Sequence, residues 1–599
     1  MYESVRRRIE AESKDFPDDC AAPTGHLTDI RNLDRKFGGR VVRAHQRGLR
    51  SSQLFSWAFS PAWEEGGTRS RTGDVDETHK NFSSPNGVYL RHTASGAAIF
   101  RWPDPQLAFI DTTLYEVNIL PVLTANCTQR KSTTVAAQWI RIAYHDMSTH
   151  DVNDGSGGLD ASIVFELDRP QNVGTGMRDS LNDFTSSTSP HVGMADIIAM
   201  GAVLGVASCG GPVIPYRGGR IDAQVAGPAT VPEPQQDLQS HIDAFKRQGF
   251  TQAEMIALVA CGHSLGGVRR DDFPQIVDAT APNGFANFDG IPLKFDNAVV
   301  TEYLDDTTAN PLVKTANVTT RSDLRIFSSD GNATMQSIAS PDNFSKTCAT
   351  LLERMINTVP KDVTLTEPVE PIESKVGGVA LIPQNGSYVL RASLRRLSTN
   401  PNRVVTMFWE ERNGQGSFCP PAGCPVNSTS PSVSGVSSFA ALKGVNKFAT
   451  YIFNAQIPLN TSVSKFWFTV DEKDGSGPQV VDNGGSGFVI DQDTVLFDPS
   501  RTSATRTSFS LVIAVRTADA TGSNPPIVSI ETYQPGGPDF IPTIQTVGVQ
   551  QDTTHAATDA YTFFTANIFA GITAIHVNSI IGGKIFSQYV GSSDFRVIL

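Results

Sequence analysis

The sequence predicts a multidomain chain, a mainly α-helical body followed by an all-β, sandwich-like C-terminal region. Three observations carry this reading. At 599 residues the chain is too long for a single hydrophobic core. From Trp102 to Val359 apolar residues recur at helical spacing, whereas beyond about residue 374 short alternating runs are separated by Gly, Asn and Pro turns. Between them lies Thr364-Leu-Thr-Glu-Pro-Val-Glu-Pro-Ile372, whose Pro/Glu texture reads as a linker. The expected organisation is an N-terminal extension over 1–95, a helical domain over 96–362, a linker over 363–373 and a β-rich region over 374–599.

Each element has its own signal. Residues 1–95 mix Arg, Asp, Ser and Gly with little periodicity and read as poorly ordered. Ala136–His145 reads as one helix. Met194–Cys209 is apolar nearly all round, as a buried helix should be, and stops at the breaker Gly210-Gly211-Pro212. Thr251 followed by Glu254 forms a capping box ahead of the helix that ends near His263. Phe344–Val359 supplies a further amphipathic helix. In the second half Ser387–Leu394, Val404–Trp409, Lys465–Val470 and Ser508–Val515 read as strands, spaced as in a sandwich.

A formal charge of -12 argues against nucleic acid or an anionic membrane as the main partner. The N-terminus carries positive charge without an apolar stretch behind it, so no signal peptide is visible there. Asn-x-Ser/Thr acceptors at Asn81, Asn126, Asn317, Asn332, Asn343, Asn385, Asn427 and Asn460 nevertheless lean towards secretion and glycosylation. The seven cysteines agree with that lean; Cys419 and Cys424 read as a local loop staple, and Cys261 as a buried small hydrophobe.

The chemistry centres on Trp139-Ile-Arg141-Ile-Ala-Tyr-His145-Asp146, where a guanidinium and an imidazole four residues apart share one helical face. A second histidine, His263, stands in Leu258-Val-Ala-Cys-Gly-His263-Ser-Leu-Gly-Gly267. Two acidic loops accompany them, Gly157-Gly158-Leu-Asp160-Ala-Ser162 and Phe288-Asp289-Gly-Ile-Pro-Leu-Lys294-Phe-Asp296-Asn297.

With Phe165-Glu166-Leu-Asp-Arg-Pro-Gln-Asn172, Ile214–Asp222 and Val231-Pro-Glu-Pro234, these motifs resemble, in order and spacing, the plant, fungal and bacterial haem peroxidase superfamily, especially its secreted fungal branch. The resemblance covers roughly residues 102–360. It implies a haem b cofactor with His263 as iron ligand and Asp330 as that histidine's carboxylate partner. Arg141 and His145 would be the distal pair that cleaves hydrogen peroxide, oriented through Asn172 and Glu166. Asp146, Gly158, Asp160 and Ser162 would hold a distal calcium. Ser264, Asp289, Lys294 and Asp296 would surround a proximal cation, calcium or potassium, although Ile291 stands where relatives carry an oxygen-bearing side chain. Cys127 and Cys209 match one of the secreted family's disulfides.

Departures narrow the expected donor. Phe288 replaces the proximal Trp of cytochrome c and ascorbate peroxidases, and Leu258 the exposed radical Trp of lignin-oxidising enzymes. Thr134, Gln138 and Arg269 occupy the positions of the three manganese-binding carboxylates, and no cation site can be built from them. Tyr144 stands in place of the usual distal Phe or Trp and reads as packing. A small, phenolic one-electron donor at the haem edge is the remaining expectation. His150 and His191 read as ordinary surface groups.

Three rival readings stand beside this one. A hydrolase lacks its Gly-x-Ser-x-Gly elbow around His263. A haem-free structural relative would have little reason to keep Arg141, His145, Asn172 and His263 together. A polysaccharide- or surface-binding β region could use Trp409, Trp467, Phe466 and Phe468 as a stacking platform, although their alternation places most of them in a core.

Overall fold

The computed structural model describes residues 100–414, 423–520, 525–569, 571–572 and 574–591. The N-terminal extension and Cys419, expected to pair with Cys424, lie outside the described residues.

The helical body begins with α1 (Pro105–Tyr115), capped by Asp104, whose side chain accepts from Leu107 N. The distal helix α2 (Val135–Met147) is capped by Thr134 and buries Ala136, Trp139, Ile140, Ala143 and Met147. Next come α3 (Gly176–Thr185) and α4 (Met194–Ser208). In α4 every residue but Ser208 is buried, as its all-round apolar sequence requires. Then follow α5 (Leu238–Arg247), α6 (Gln252–Gly262), the short α7 (Ser322–Phe327) and α8 (Pro341–Ile356). The Thr251/Glu254 capping box is present at the start of α6. Close approach lets α2 and α4 share a core: a Cβ on Gly205 would sit 3.2 Å from the Ala136 backbone. Two disulfides fasten this body, Cys127–Cys209 and Cys261–Cys348. Cys261 is therefore a cross-link from α6 to α8, not the free apolar filler its sequence setting implies.

The Pro/Glu stretch is not a free linker. Thr366 N and Val369 N donate to Gly218 O and Tyr216 O, and Tyr115 Oη donates to Val369 O at 2.6 Å.

Beyond it lie four antiparallel sheets. The first contains β1 (Ser374–Gln384), β2 (Ser387–Arg396), β5 (Ser432–Ser434) and β6 (Phe448–Pro458), in the order β1-β2-β6-β5. The second contains β3 (Val404–Glu410), β4 (Cys424–Asn427), β7 (Lys465–Asp471), β8 (Gln479–Val481) and β9 (Phe488–Val489), ordered β8-β7-β3-β4 with β9 also on β7. The third contains β10 (Val495–Phe497), β11 (Ser503–Ala504), β12 (Ser508–Arg516), β15 (Gln550–Gln551) and β16 (Tyr561–Phe569), ordered β10-β12-β16-β15 with β11 on β12. The fourth runs β14-β13-β17-β18, from β13 (Ile527–Gln534), β14 (Thr543–Gly548), β17 (Ala574–Ile581) and β18 (Lys584–Gly591).

The continuous apolar run of β12 has a cause: Val512 and Ala514 pack into the core of the first two sheets, while Leu511, Ile513 and Val515 pack against the fourth. Both faces of the strand are buried. Trp409, Phe466 and Phe468 are likewise core, so three of the four rings expected as a platform are not surface groups. The fourth, Trp467, is half-buried and stacks on Phe408 at 5.9 Å.

The helical and β parts share core. Phe439, on a short helix of the β half, joins the helical cluster and lies 5.5 Å from the Tyr115 ring. Asp111 of α1, fully buried, meets Lys375 of β1 at 2.9 Å and Arg395 of β2 at 2.6 Å. Among the described residues no helix is long and apolar enough to cross a membrane.

Candidate active site

Trp139, against Gly201 of α4, and Ala143 are fully buried four residues apart on one face of α2, and the same spacing sets Arg141 and His145 together on another. The state of His145 follows from its partners. Asn172 Nδ2 donates to Glu166 O at 2.9 Å, which turns Asn172 Oδ1 towards His145 Nδ1 at 2.8 Å. An amide oxygen only accepts, so the proton sits on Nδ1 and Nε2 keeps its lone pair. Burial, then the Arg141 charge, hold the imidazole down to about 3, against the opposing effect of Asn172. His145 is a neutral base with its free nitrogen directed away from Asn172. Glu166 acts here through its main-chain carbonyl; its carboxylate accepts from Gly227 N at 2.7 Å and pairs with Arg169 at 3.1 Å. Arg141 donates through Nη2 to Val173 O at 3.1 Å. Burial lowers its guanidinium to about 10, so the group stays charged at neutral pH.

His263 caps the C-terminus of α6. Its Nδ1 lies 2.8 Å from Asp323 Oδ2, and that oxygen also accepts from Asn310 Nδ2 at 2.9 Å. Asp323 is 1% exposed. The carboxylate fixes the proton on Nδ1 and leaves Nε2 without a partner among the described residues, the donor state of a metal-ligating imidazole. The Phe288 ring stacks on His263 at 4.1 Å.

Asp330 is not the partner of His263. Its carboxylate accepts instead from Thr334 N at 2.9 Å and Thr334 Oγ1 at 2.6 Å, in the short helix that follows. The helix that starts at Ser322 places Asp323 in its first turn, and it ends at Phe327 before Asp330 is reached. An acid opening a short helix was the available signal, and Asp330 lies seven residues beyond it.

The distal acidic loop brings Asp146 and Asp160 together, both buried. Burial and the Asp160 charge push Asp146 well above the carboxylate range, and burial raises Asp160. Asp146 accepts from Ala161 N and Ile163 N at 2.7 and 3.0 Å, while Ser162 Oγ is buried without a hydrogen-bond partner. Gly158 has φ 121°, and a Cβ there would come within 2.7 Å of Thr358 O, so the loop depends on glycine. Two crowded acids, an unpartnered hydroxyl and carbonyl oxygens fit a hard cation. Among the described residues no cluster of three or more His, Cys, Asp or Glu side chains forms, so such an ion would rest on this mixed oxygen set.

The proximal loop is similar in kind. Asp289 is pushed up to about 7 by burial and the charges of Asp296 and Glu302, and its Oδ2 is buried and unpartnered. Ser264 Oγ donates to Cys261 O at 2.9 Å. Lys294 Nζ pairs with Asp296 at 3.3 Å, so the Lys294 side chain is excluded as a cation ligand and only its carbonyl could serve.

Thr134 caps α2, Gln138 accepts from Arg130 at 2.6 Å and Arg269 reaches Thr175 at 3.5 Å. Tyr144 stacks against Phe245 at 5.8 Å. Two histidines are not the surface groups expected: His150 is buried against Gly157 O at 3.0 Å, and His191 Nε2 is buried without a partner. The Ile214–Asp222 motif is structural. Arg220 forms a buried pair with Asp196 at 2.9 Å, and Asp222 accepts from Met194 N and Ala195 N at the start of α4.

Residues 123–340 match the family model described as Peroxidase. A WSC domain-containing protein of Arthroderma benhamiae is 38% identical over 354 aligned residues, covering 56% of this chain and 47% of that protein. That similarity is longer than the family-matched segment. The peroxisomal L-ascorbate peroxidase 5 of Arabidopsis thaliana is 33% identical, covering 28% of this chain and 56% of its own. The mitochondrial cytochrome c peroxidase of Aspergillus fumigatus is 32% identical, covering 22% and 37%. The chain thus spans about half the length, or less, of these curated relatives.

Proposed function

With residues 123–340 a peroxidase-family domain, we propose that this protein is a haem-dependent peroxidase that reduces hydrogen peroxide and oxidises small, phenolic donors one electron at a time. The observation that carries the reading is the pair of histidine tautomers. Asn172 leaves His145 Nε2 basic, and Asp323 leaves His263 Nε2 free to bind a metal.

Haem, held through His263 Nε2, would supply the electrons that break the O–O bond. His145 Nε2 takes the proton from the near oxygen of peroxide and returns it to the departing one. Because burial keeps this imidazole neutral down to about 3, the base is available over the whole working range. The Arg141 guanidinium stabilises the charge that develops on the departing oxygen. Asp323, itself held by Asn310, fixes the His263 ring and raises its basicity.

A distal calcium at Asp146, Gly158, Asp160 and Ser162 would anchor the end of α2 next to His145, with a second ion at Ser264, Asp289 and Asp296. The donor is small by elimination: Phe288 replaces an indole on the proximal side, and no acid trio gathers at Thr134, Gln138 and Arg269. Secretion is supported by the two disulfides and the acceptor asparagines. Reconstitution with haem tests the proposal. A Soret band and peroxide-dependent oxidation of guaiacol are expected; haem binding with unreacted peroxide would overturn it.

A further inference from the structure

A cleft of about 590 Å³ opens where α3 of the helical body meets the third and fourth sheets. One wall is Arg178, Asn182 and Ser186; the other is the Gln534–Phe540 loop between β13 and β14, with Phe569 at the end of β16. The volume is that of a small-ligand site.

The loop is pre-formed. Pro535 and Pro538 each fix a backbone angle, and a Cβ on Gly536 would come within 2.1 Å of the Phe540 carbonyl carbon. Phe540 adopts φ 61°, a left-handed conformation that strains a phenylalanine. Its ring is buried beneath Arg178, whose guanidinium lies 5.5 Å from the ring centre and donates to Pro538 O at 3.3 Å. Helix and loop are therefore fastened to each other across the floor of the cleft.

The cleft is more apolar than polar: prolines, glycines and the Phe569 ring form most of its lining, with Asn182, Ser186 and Gln534 as polar points among them. Phe569 is 57% exposed. A Cβ on Gly571 would meet that ring at 2.4 Å, so glycine allows it to fold over the turn. Asn182, Ser186 and Gln534 have no side-chain hydrogen-bond partner among the described residues, and no carboxylate pairs with Arg178. Carboxamides and hydroxyls both donate and accept, which suits vicinal alcohols. An exposed phenyl face suits the C–H face of a pyranose ring, and the absence of acids in the lining argues against a cation.

We propose that this cleft binds a saccharide, one pyranose of a polysaccharide chain stacking on Phe569 with its hydroxyls on Asn182, Ser186 and Gln534. The site has a defined relation to the peroxide-handling face. Helix α3 starts at Gly176, where a Cβ would lie 3.8 Å from Arg141 Nη1, and ends in the cleft. Ten residues of helix span about 15 Å, so a bound polymer is held beside the distal face. The saccharide site does not depend on peroxide chemistry and is tested without it.

Titration calorimetry of the full chain against cellohexaose, laminarihexaose, mannohexaose and chitohexaose decides the matter. At least one should bind with a dissociation constant of roughly 10 μM to 1 mM. Phe569→Ala, at an exposed position, should weaken that binding by about tenfold, and Asn182→Ala by a smaller factor, with unchanged melting temperature and haem binding. Binding by none of the four, or binding unchanged in both variants, would overturn the proposal.

Discussion

Asp323 Oδ2 sits 2.8 Å from His263 Nδ1 although the two residues are 60 apart in sequence, and the same oxygen accepts from Asn310. Replacing this carboxylate by an amide removes the charge that holds the Nδ1 proton. Asp323→Asn should lower the rate of peroxide reduction by about 10- to 100-fold, with a shifted Soret band. Asp330→Asn, at a carboxylate bonded to Thr334 and not to His263, should leave both unchanged. Stopped-flow absorbance on the two haem-loaded variants separates the roles.

The Cys261–Cys348 bond closes a loop with a sequence separation of 87 and ties α6, two residues before His263, to α8. Cys348→Ser should cost about 2–4 kcal/mol of stability. Thermal or denaturant unfolding measures it, and haem affinity should fall with it because the proximal helix is loosened.

Asp111 joins the two halves of the chain. Burial pushes its carboxyl up, but the charges of Lys375 and Arg395 more than offset this and hold it below its ordinary range. Asp111→Ala leaves Lys375 and Arg395 with only the half-buried Glu116, at 3.6 and 2.6 Å, as counter-charge and should destabilise the chain by about 3 kcal/mol. Asp111→Ala combined with Lys375→Met should recover part of the loss, which a double-mutant unfolding cycle would show.

His191 adds a pH dependence. Burial, then the neighbouring His576 charge, hold it down to about 4 from an ordinary 6.5. Its ring packs edge-on against Tyr589 at 4.8 Å, with Glu531 paired to His576 at 3.7 Å. The unfolded chain takes up a proton below about 6.5 that the folded chain refuses until about 4. This contribution to stability is therefore complete above pH 6.5 and is lost as pH falls towards 4. His191→Gln should flatten the melting temperature across that interval.

Most of the site was legible because its signals are local. Arg141 and His145 share one helical face through their spacing alone, and Thr251 with Glu254 announces the helix that carries His263. What escaped depends on contacts between distant segments. An acid in the first turn of the helix at Ser322 was the local signal for Asp323, but only the fold shows that it meets a histidine 60 residues away. Cys261 looks like packing until Cys348 is brought beside it. The β half showed the same limit. Alternation in Lys465–Val470 sorts Phe466 and Phe468 inward, but β12 shows no alternation because it is covered on both faces. The Pro/Glu stretch reads as a tether, whereas its backbone is bonded to Tyr216 and Gly218.

The central claim is that His145, kept neutral by burial and aimed by Asn172, is the base that deprotonates peroxide opposite His263. Single-mixing kinetics of the haem-loaded full chain with hydrogen peroxide test it most directly. The wild type should react rapidly at a rate that is flat with pH down to about 4, and His145→Leu should react about 100- to 10,000-fold more slowly with haem still bound. Equal rates in the wild type and His145→Leu would contradict the account.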